Sequence, residues 1–240
     1  MEKPTYKDLL NAGVHFGHLK KKWNPKMAPY IFTEYKGIHV IDLNRTLESM
    51  ERAGNAMRQI AKSGRKIMFV ATKKQARDIV TNAALSVGMP FVTERWLGGM
   101  MTNFSTIRRS IKKLQTMDRM LQDGAENITK KERLTISRER DKLEKVLGGI
   151  AGLTRLPAAI FIVDISHEHI AVDEATKLGI RTFAMVDTNS DPNVVDYPVP
   201  SNDDASKSIK IIVDYMAEAV RQGLSDRERA KAEKAATAGE

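Results

Sequence analysis

The sequence contains no cysteine, which excludes disulfide bonds, thiolate nucleophiles and cysteine-ligated zinc or iron–sulfur centres. It also has no uncharged apolar run approaching the roughly 18 residues that a membrane-spanning helix requires. The first residues, Met1–Thr5, lack the apolar core of a secretion signal. We therefore expect a soluble cytoplasmic protein.

Three glycine motifs that mark nucleotide-binding or catalytic loops are also missing. The sequence has neither G-x-G-x-x-G nor G-x-x-x-x-G-K-[ST], and it has no G-x-S-x-G nucleophile elbow. Common dinucleotide-binding, P-loop and α/β-hydrolase sites are therefore disfavoured, and we predict neither an enzyme nor a bound cofactor.

Two polar loops nevertheless follow predicted buried strands. Thr72 and Gln75 fit a helix capping box, and Lys73 and Lys74 beside a helix amino end would suit a phosphate. An RNA phosphate, a nucleotide and a plain cap all remain open for this loop. The second loop, 164–169, offers serine, histidine and carboxylates where α/β enzymes place active sites, although capping of the next helix is favoured.

A metal site is a further alternative. His15 and His18 stand three residues apart, and acidic loops occur at 187–191 and 203–204. Imidazole and carboxylate groups suit zinc. We favour ordinary packing or contact with RNA for both histidines and assign no metal ligand.

Basic residues exceed acidic ones by nine, and the isoelectric point is near 9.6, which favours a polyanionic partner. Part of this excess lies in residues 1–36, which we predict to be a basic N-terminal arm with interleaved aromatic residues. Seven lysines against three acidic residues give the arm a net charge of +4. The lysines expected to contact RNA there are Lys20, Lys21, Lys22 and Lys26.

The next part of the chain alternates apolar runs with helical patterns, which predicts a parallel sheet with helical crossovers. The predicted strands are 38–41, 66–71, 90–92, 158–163, 181–186 and 197–199. The predicted helices are 44–63, opened by Asn44, then 72–87, 168–178 and 201–221. We assign 37–104 and 148–224 to one α/β domain and expect the tail, 225–240, to be disordered.

Residues 105–147 interrupt this rhythm. Apolar residues recur there at helical spacing, 123–127 has the composition of a turn, and Thr129 and Glu132 fit a capping box. These features predict an inserted antiparallel, coiled-coil-like helical hairpin. Twelve basic and seven acidic residues give the hairpin a net charge of +5. Its predicted RNA contacts lie near the base of the first helix: Arg108, Arg109, Lys112 and Lys113.

Several motifs together resemble the bacterial small-subunit ribosomal protein S2 family. They occur in the order of that family between about residues 5 and 223, although Ala71 stands where the family pattern leads us to expect glycine. The matching segments are AGVHFGH at 12–18, WNPKM at 23–27, FVATKKQA at 69–76, RWLGGMMTN at 95–103, EHIA at 168–171, VDTNSDP at 186–192 and PSNDDA at 200–205.

The resemblance implies a flavodoxin-like α/β domain with a protruding helical hairpin. It also implies binding to 16S ribosomal RNA near the junction of head and body, and help in docking ribosomal protein S1. We expect Lys73, Lys74 and Arg95 to add to the RNA contacts, mostly with phosphate, ribose and helix shape. We expect no membrane, small-molecule substrate or homo-oligomer. The alternatives are an α/β nucleotide- or phosphate-binding enzyme and, last, a membrane-surface protein.

Overall fold

A computed structural model describes residues 3–122 and 129–237, in which the chain forms seven α-helices and eight strands. The helices are α1 (Tyr6–Asn11), α2 (Leu43–Lys62), α3 (Arg77–Ser86), α4 (Phe104–Gln122), α5 (Lys130–Leu147), α6 (His169–Leu178) and α7 (Ser206–Thr237). The strands are β1 (Phe16–Leu19), β2 (Ile31–Tyr35), β3 (Ile38–Ile41), β4 (Ile67–Val70), β5 (Phe91–Val92), β6 (Ala159–Val163), β7 (Arg181–Val186) and β8 (Tyr197–Pro200). No helix in these ranges combines the length and hydropathy needed to cross a bilayer.

The predicted parallel sheet is confirmed. Five strands lie in the order β5-β4-β6-β7-β8, and every neighbouring pair is parallel. Counted within this sheet alone, the order is 2-1-3-4-5, which is the flavodoxin-like order. The order reverses between β4 and β6, so their carboxyl ends form the topological switch point.

Helices cover both faces of the sheet, which explains why its central strands are continuous apolar runs. Phe69, Phe161 and Phe183 point to the face covered by α2, α3 and α7. The alternate residues, such as Ile160 and Ala184, point to the other face, where α6 and the first turns of α4 pack. Burial of alternate residues on opposite faces gives the domain two apolar layers around one sheet.

A second sheet was not anticipated. The predicted strand at 38–41 exists as β3, but it lies in an antiparallel sheet of order β1-β3-β2 rather than in the parallel one. Lys36 and Gly37 between β2 and β3 both have positive φ, as two-residue hairpin turns require. The strands β1 and β2 escaped prediction because they are largely exposed and lack the apolar alternation of a half-buried strand.

The interrupting segment forms two long helices, α4 and α5, which contact each other. The capping box of Thr129 and Glu132 at the start of α5 is confirmed. Lys113 pairs with Glu139, and Asp118 with Arg140, so ion pairs link the two helices. The turn predicted at 123–127 lies outside the described residues.

Several predicted helix ends are wrong. Asp42 rather than Asn44 caps α2, and α3 begins at Arg77 rather than Thr72, with no side-chain cap. The last helix begins at Ser206, after a turn in which the Asn202 side chain accepts bonds from two backbone amides. It was predicted to end near 221 and is helical as far as Thr237.

The longer last helix also corrects the expected disorder of the tail as far as Thr237. Arg58 of α2 donates to Asp226 at 2.8 Å, and Leu224 packs against the core, so tertiary contacts extend the helix beyond its apolar stretch.

Candidate nucleic-acid interface

The switch point of the parallel sheet holds a cluster of ionisable side chains. Lys73, which follows β4, places its ammonium 3.0 Å from Asp164, 2.7 Å from Asp203 and 2.6 Å from Asp204. His18 from the N-terminal segment lies 3.1 Å from Asp187 and 3.5 Å from Asp204. Residues from five separate parts of the chain therefore form one network of ion pairs at the edge where open α/β sheets bind ligands.

The environment of this cluster shifts the pKa values of three of its members, Asp203, His18 and Lys73. Burial, with the nearby carboxylates Asp164 and Asp187, raises the pKa of Asp203 to about 7, although Lys73 opposes the shift. One carboxylate oxygen of Asp203 is buried without a hydrogen-bond partner. The bond to Asp187 outweighs partial burial and raises the pKa of His18. Burial alone would lower the pKa of Lys73, but its carboxylate partners raise it well above its ordinary value.

The N-terminal segment closes this edge of the sheet. The His18 amide donates to the Thr188 hydroxyl at 2.8 Å, and the Asn24 amide donates to the Thr188 carbonyl at 2.8 Å. A side chain at Gly17 would meet the Thr188 side chain at 2.6 Å, so glycine permits this close approach. The N-terminal segment thus covers the part of this edge beside Thr188, whereas a pocket lined by Thr72, His167 and Glu168 remains open after β4 and β6.

The two loops considered for chemistry bind each other. The amide of Thr72 donates to the Glu168 carboxylate at 2.8 Å, and its hydroxyl donates to the same oxygen. The predicted Thr72–Gln75 capping box is not formed, because α3 begins only at Arg77 and Thr72 does not stand at its amino end. In the second loop, Asp164 accepts a bond from the His167 amide at 3.0 Å, whereas Glu168 precedes α6 without capping it.

Sequence reasoning missed Glu174, which organises the connection into the hairpin. This α6 carboxylate, 6% exposed, accepts bonds from the amides of Gly99, Met101 and Thr102 at 2.7–2.9 Å. It also accepts from the Trp96 indole at 3.1 Å. Burial would raise the pKa of Glu174, but these donors outweigh burial and lower it. The available signal in the sequence was an acidic residue among the apolar positions of α6, where Glu174 follows Ala171 by three residues and precedes Ala175.

The structure separates the predicted RNA-contacting residues into paired and unpaired groups. Lys73 is only 14% exposed and is held by three carboxylates. Lys20 pairs with Glu34 at 2.6 Å, Lys26 pairs with Asp191 at 2.5 Å, and Lys113 pairs with Glu139. The remaining predicted residues are exposed and have no acidic partner among the described residues: Lys21, Lys22, Lys74, Arg95, Arg108, Arg109 and Lys112.

Three of these unpaired cations share the base of α4. Arg108 donates to the Thr154 carbonyl at 3.4 Å, which ties this part of α4 to the loop before β6. That loop borders a cleft at the amino ends of the strands. Four basic residues that were not predicted to contact RNA line the cleft, together with the acidic Glu144: Arg65, Lys66, Lys145 and Arg155. The bond between Arg108 and Thr154 joins the base of α4 to this cleft, and we call the two together the hairpin-base surface.

The metal alternative finds little support in the geometry. His15 does not join His18, and its Nδ1 atom is buried without a partner. His18 lies between Asp187 and Asp204, but the same carboxylate cluster contains the Lys73 ammonium. Within the ranges 3–122 and 129–237, no group of three or more histidine, aspartate or glutamate side chains could hold a metal ion.

Comparisons with known proteins agree with the sequence motifs. The sequence model of the family described as ribosomal protein S2 matches residues 9–223. The small ribosomal subunit protein uS2 of Cytophaga hutchinsonii is 61% identical over 96% of this chain and 91% of its own length. The uS2 proteins of Parabacteroides distasonis and Amoebophilus asiaticus are each 57% identical, over 98% and 96% of this chain and 84% and 74% of their own lengths. The chain therefore belongs to the ribosomal protein S2 family, a family of ribosomal proteins and not of enzymes.

Proposed function

We propose that this chain is a structural constituent of the small ribosomal subunit and binds the backbone of 16S ribosomal RNA. The observation that carries the proposal is the hairpin-base surface, where Arg108, Arg109 and Lys112 lie exposed without acidic partners among the described residues. Exposed cations that are already paired within the protein offer less to a phosphate than unpaired ones. This proposal places the chain in the cytoplasm, on the ribosome.

The RNA contacts we propose are the unpaired cations rather than the whole predicted set. When such a cation neutralises an RNA phosphate, counterions held by the RNA are released into solution. Each contact of this kind therefore contributes a salt-dependent share of the binding free energy. Lys20, Lys26 and Lys113 are exposed enough to exchange a carboxylate for a phosphate, whereas Lys73 is needed to neutralise Asp203. We therefore remove Lys73 from the proposed RNA-contacting residues and add Arg65 and Arg155.

The arrangement of helices and strands along the chain supports the proposed binding to RNA. We propose that α4 and α5 form a coiled-coil-like arm spanning 105–147, and that 1–36 form a basic arm on the α/β domain, 37–104 and 148–224. The Glu174 contacts hold the connection to α4 in place on the domain. The domain then keeps the two basic elements at a fixed separation, near the junction of head and body. We further propose that a surface left free by the RNA helps to dock ribosomal protein S1, and that the chain acts as a single copy.

The test replaces the predicted hairpin patch. Changing Arg108, Arg109, Lys112 and Lys113 to alanine removes four cations from the hairpin-base surface while leaving its apolar contacts intact. We expect at least a tenfold loss of occupancy when this variant competes with the unchanged chain for small subunits, with little change in the melting temperature. The basis is the loss of about three to four phosphate contacts.

The control changes Lys130, Lys131 and Arg133, which are exposed on the first turn of α5, to alanine. This control lowers the net charge of the hairpin by three and leaves its base unchanged. Equal occupancy of the two variants would show that total charge, and not the hairpin base, governs binding. Unchanged occupancy of the hairpin-base variant would refute the assignment of that surface.

A further inference from the structure

The cleft at the amino ends of the strands has the size and the lining of a ligand site. Its volume is about 880 Å³, and pockets that hold small molecules usually measure roughly 300–1,000 Å³. The half-buried Phe91 and the side chain of Leu153 line it. Leu85 and Leu156, which also line it, remain 61% and 41% exposed. An apolar surface left open in this way suits a ligand with a flat apolar part.

Cations lie where the cleft meets β4 and β6. Arg65 and Lys66 precede β4, Arg155 precedes β6, and these two strands are parallel neighbours, so their amino ends lie together. Arg65 donates to the Ser63 hydroxyl at 3.0 Å, and Lys66 donates to the Gly88 carbonyl at 2.7 Å. Both acceptors are neutral, and none of the three cations forms an ion pair within the described ranges. Their charge therefore remains available to a phosphate.

A further cation reaches the same place from α7. A Cβ added to Gly64, which lines the cleft, would lie 2.7 Å from Nη2 of Arg227. The Arg227 guanidinium therefore lies on the backbone of Gly64, and it forms no ion pair with the described part of the chain. Guanidinium groups match the geometry of phosphate oxygens, so Arg227 adds to a phosphate-binding mouth of the cleft.

The β5 side of the cleft carries a carboxylate instead. Glu144, exposed near the end of α5, lies along Gly148, where an added Cβ would be 2.6 Å from its Oε1. No cation of the described residues forms an ion pair with Glu144, whereas the adjacent Lys145 is paired with Glu94 at 3.5 Å. A carboxylate accepts hydrogen bonds from neutral N–H groups and repels a second anion. The ligand therefore needs N–H donors at one end and negative charge at the other.

Guanosine phosphate has both ends. The Watson–Crick edge of guanine offers two neighbouring donors, the N1–H and the amino group, which one carboxylate can accept together. Adenine offers an acceptor at N1 beside its amino group and so meets a carboxylate less well. An acidic peptide would satisfy the cations, but its carboxylates would be repelled by Glu144. Proteins that read single-stranded RNA commonly stack an unpaired base on an aromatic side chain and bond its Watson–Crick edge.

We propose that the cleft accepts an unpaired guanosine of RNA, with the base against Phe91 and its Watson–Crick edge toward Glu144. The phosphate of this nucleotide lies toward Arg65, Lys66 and Arg155. The inference rests on the proposed function, because RNA bound at the hairpin-base surface supplies the guanosine. A free guanine nucleotide carries the same chemical groups, so the experiments separate the two sources.

The first experiment compares bases. The purified chain is titrated into short, fluorescently labelled single strands of uridine that carry one central guanosine, adenosine or inosine, and anisotropy reports binding. We expect the guanosine strand to bind about tenfold more tightly than the adenosine strand, as a bidentate contact to a base edge typically provides. Inosine lacks the amino group of guanine, so its strand should bind with intermediate affinity. Equal affinities for guanosine and adenosine would overturn the inference.

Filling the cleft locates the site. Gly152 lines the cleft, its φ lies outside the left-handed region, and a Cβ added there would meet no atom within 4 Å. Gly98 has the same freedom but does not line the cleft. We expect Gly152→Leu to bind the guanosine strand about tenfold more weakly, at the level of the adenosine strand, with an unchanged melting temperature. Gly98→Leu should keep the preference. A preference that survives in Gly152→Leu would refute the assignment of the base to this cleft.

Glu144→Gln tests the proposed selection of guanine. The control is Asp141→Asn, which changes an exposed carboxylate of the same helix outside the cleft lining. Because each substitution also removes one negative charge, the readout is the ratio of the guanosine and adenosine affinities. We expect this ratio to fall from about ten to about one in Glu144→Gln and to stay unchanged in Asp141→Asn. Equal ratios in the two variants would contradict the role of Glu144.

Competition by guanosine 5′-monophosphate separates the two sources. The mononucleotide lacks the neighbouring phosphates of a strand, so we expect it to compete at least tenfold more weakly than the unlabelled guanosine strand. Competition as strong as that of the strand would identify a site for free guanine nucleotides and overturn the assignment to RNA.

Chemical probing on small subunits completes the test. Kethoxal modifies N1 and the amino group of unpaired guanosines, and subunits depleted of their own copy are probed after addition of each purified chain. We expect the unchanged chain and Gly98→Leu, but not Gly152→Leu, to protect a guanosine from modification. If no chain joins the subunits, the proposed function fails. Chains that all join the subunits with identical protection would refute the guanosine site alone.

Discussion

At the residue scale, the ion cluster at the switch point shows how the fold uses a position that other α/β proteins give to a ligand. Lys73 follows β4 and is surrounded by carboxylates from loops after β6 and β8. Asp203 is fully buried and keeps one oxygen unpartnered, so its charged form is disfavoured. The N-terminal segment covers the cluster through His18. The cluster therefore holds the N-terminal segment against the loops that follow β7 and β8.

The cluster predicts a fall in stability as pH rises toward and through neutrality. In the folded state the pKa of Asp203 is raised to about 7 from an ordinary 3.8, so its contribution is fully present below the ordinary value and is lost as pH rises through about 7. The raised pKa of His18 acts in the same direction, since that contribution fades above its ordinary 6.5. We expect the melting temperature to fall between about pH 5 and pH 8.

The Asp203→Asn variant separates the contribution of Asp203 to the pH dependence of stability from that of His18. The variant removes the titration of Asp203, so the melting temperature should depend much less on pH across the same range, with a residual slope from His18. Melting curves followed by circular dichroism measure both slopes. Parallel curves for the variant and the unchanged chain would mean that Asp203 does not titrate in this window.

At the element scale, the start of α4 depends on a connection whose amides are bound by a side chain of another helix, α6. The segment from Trp96 to Thr102 turns sharply out of β5 toward α4, and its amides point at Glu174 of α6. Hydrogen bonds to a buried carboxylate are stronger than those to a neutral acceptor. One side chain therefore fixes the direction in which α4 leaves the domain.

Glu174→Gln is expected to lower the free energy of unfolding by about 2 kcal/mol, because a neutral amide accepts these bonds less well and presents donors to donors. The matched control is Asp173→Asn, a neighbouring exposed carboxylate on the same helix. Urea unfolding measures both, and hydrogen exchange should show the added loss of protection at Gly99, Met101 and Thr102. Equal effects of the two substitutions would argue against the role of Glu174.

At the scale of the whole molecule, local patterns predicted elements, and contacts distant in sequence decided the site. The runs around Phe69 and Phe161 predicted buried parallel strands because hydrophobic burial on both faces leaves a continuous apolar signature. The capping box at Thr129 formed because its partner lies three residues away. The one at Thr72 did not, because α3 begins only at Arg77, five residues further along the chain.

The sequence likewise predicted only some of the lysines and arginines that are exposed and without an acidic partner. Charge counting identified Arg108, Arg109 and Lys112, which are unpaired, but also Lys73, which three distant carboxylates neutralise. It missed Arg65 and Arg155, since neither lies in a basic run and only the fold brings them to the cleft beside α4. Whether a lysine or arginine can meet a phosphate depends on the tertiary position of the nearest carboxylate.

The most direct test of the RNA-binding claim is the salt dependence of binding between the purified chain and 16S ribosomal RNA, measured by filter binding across a range of salt concentrations. The account predicts a steep linear fall of log affinity with log salt, and a slope reduced by about three when Arg108, Arg109, Lys112 and Lys113 are alanine. An affinity that is independent of salt, or an identical slope in the variant, would contradict it.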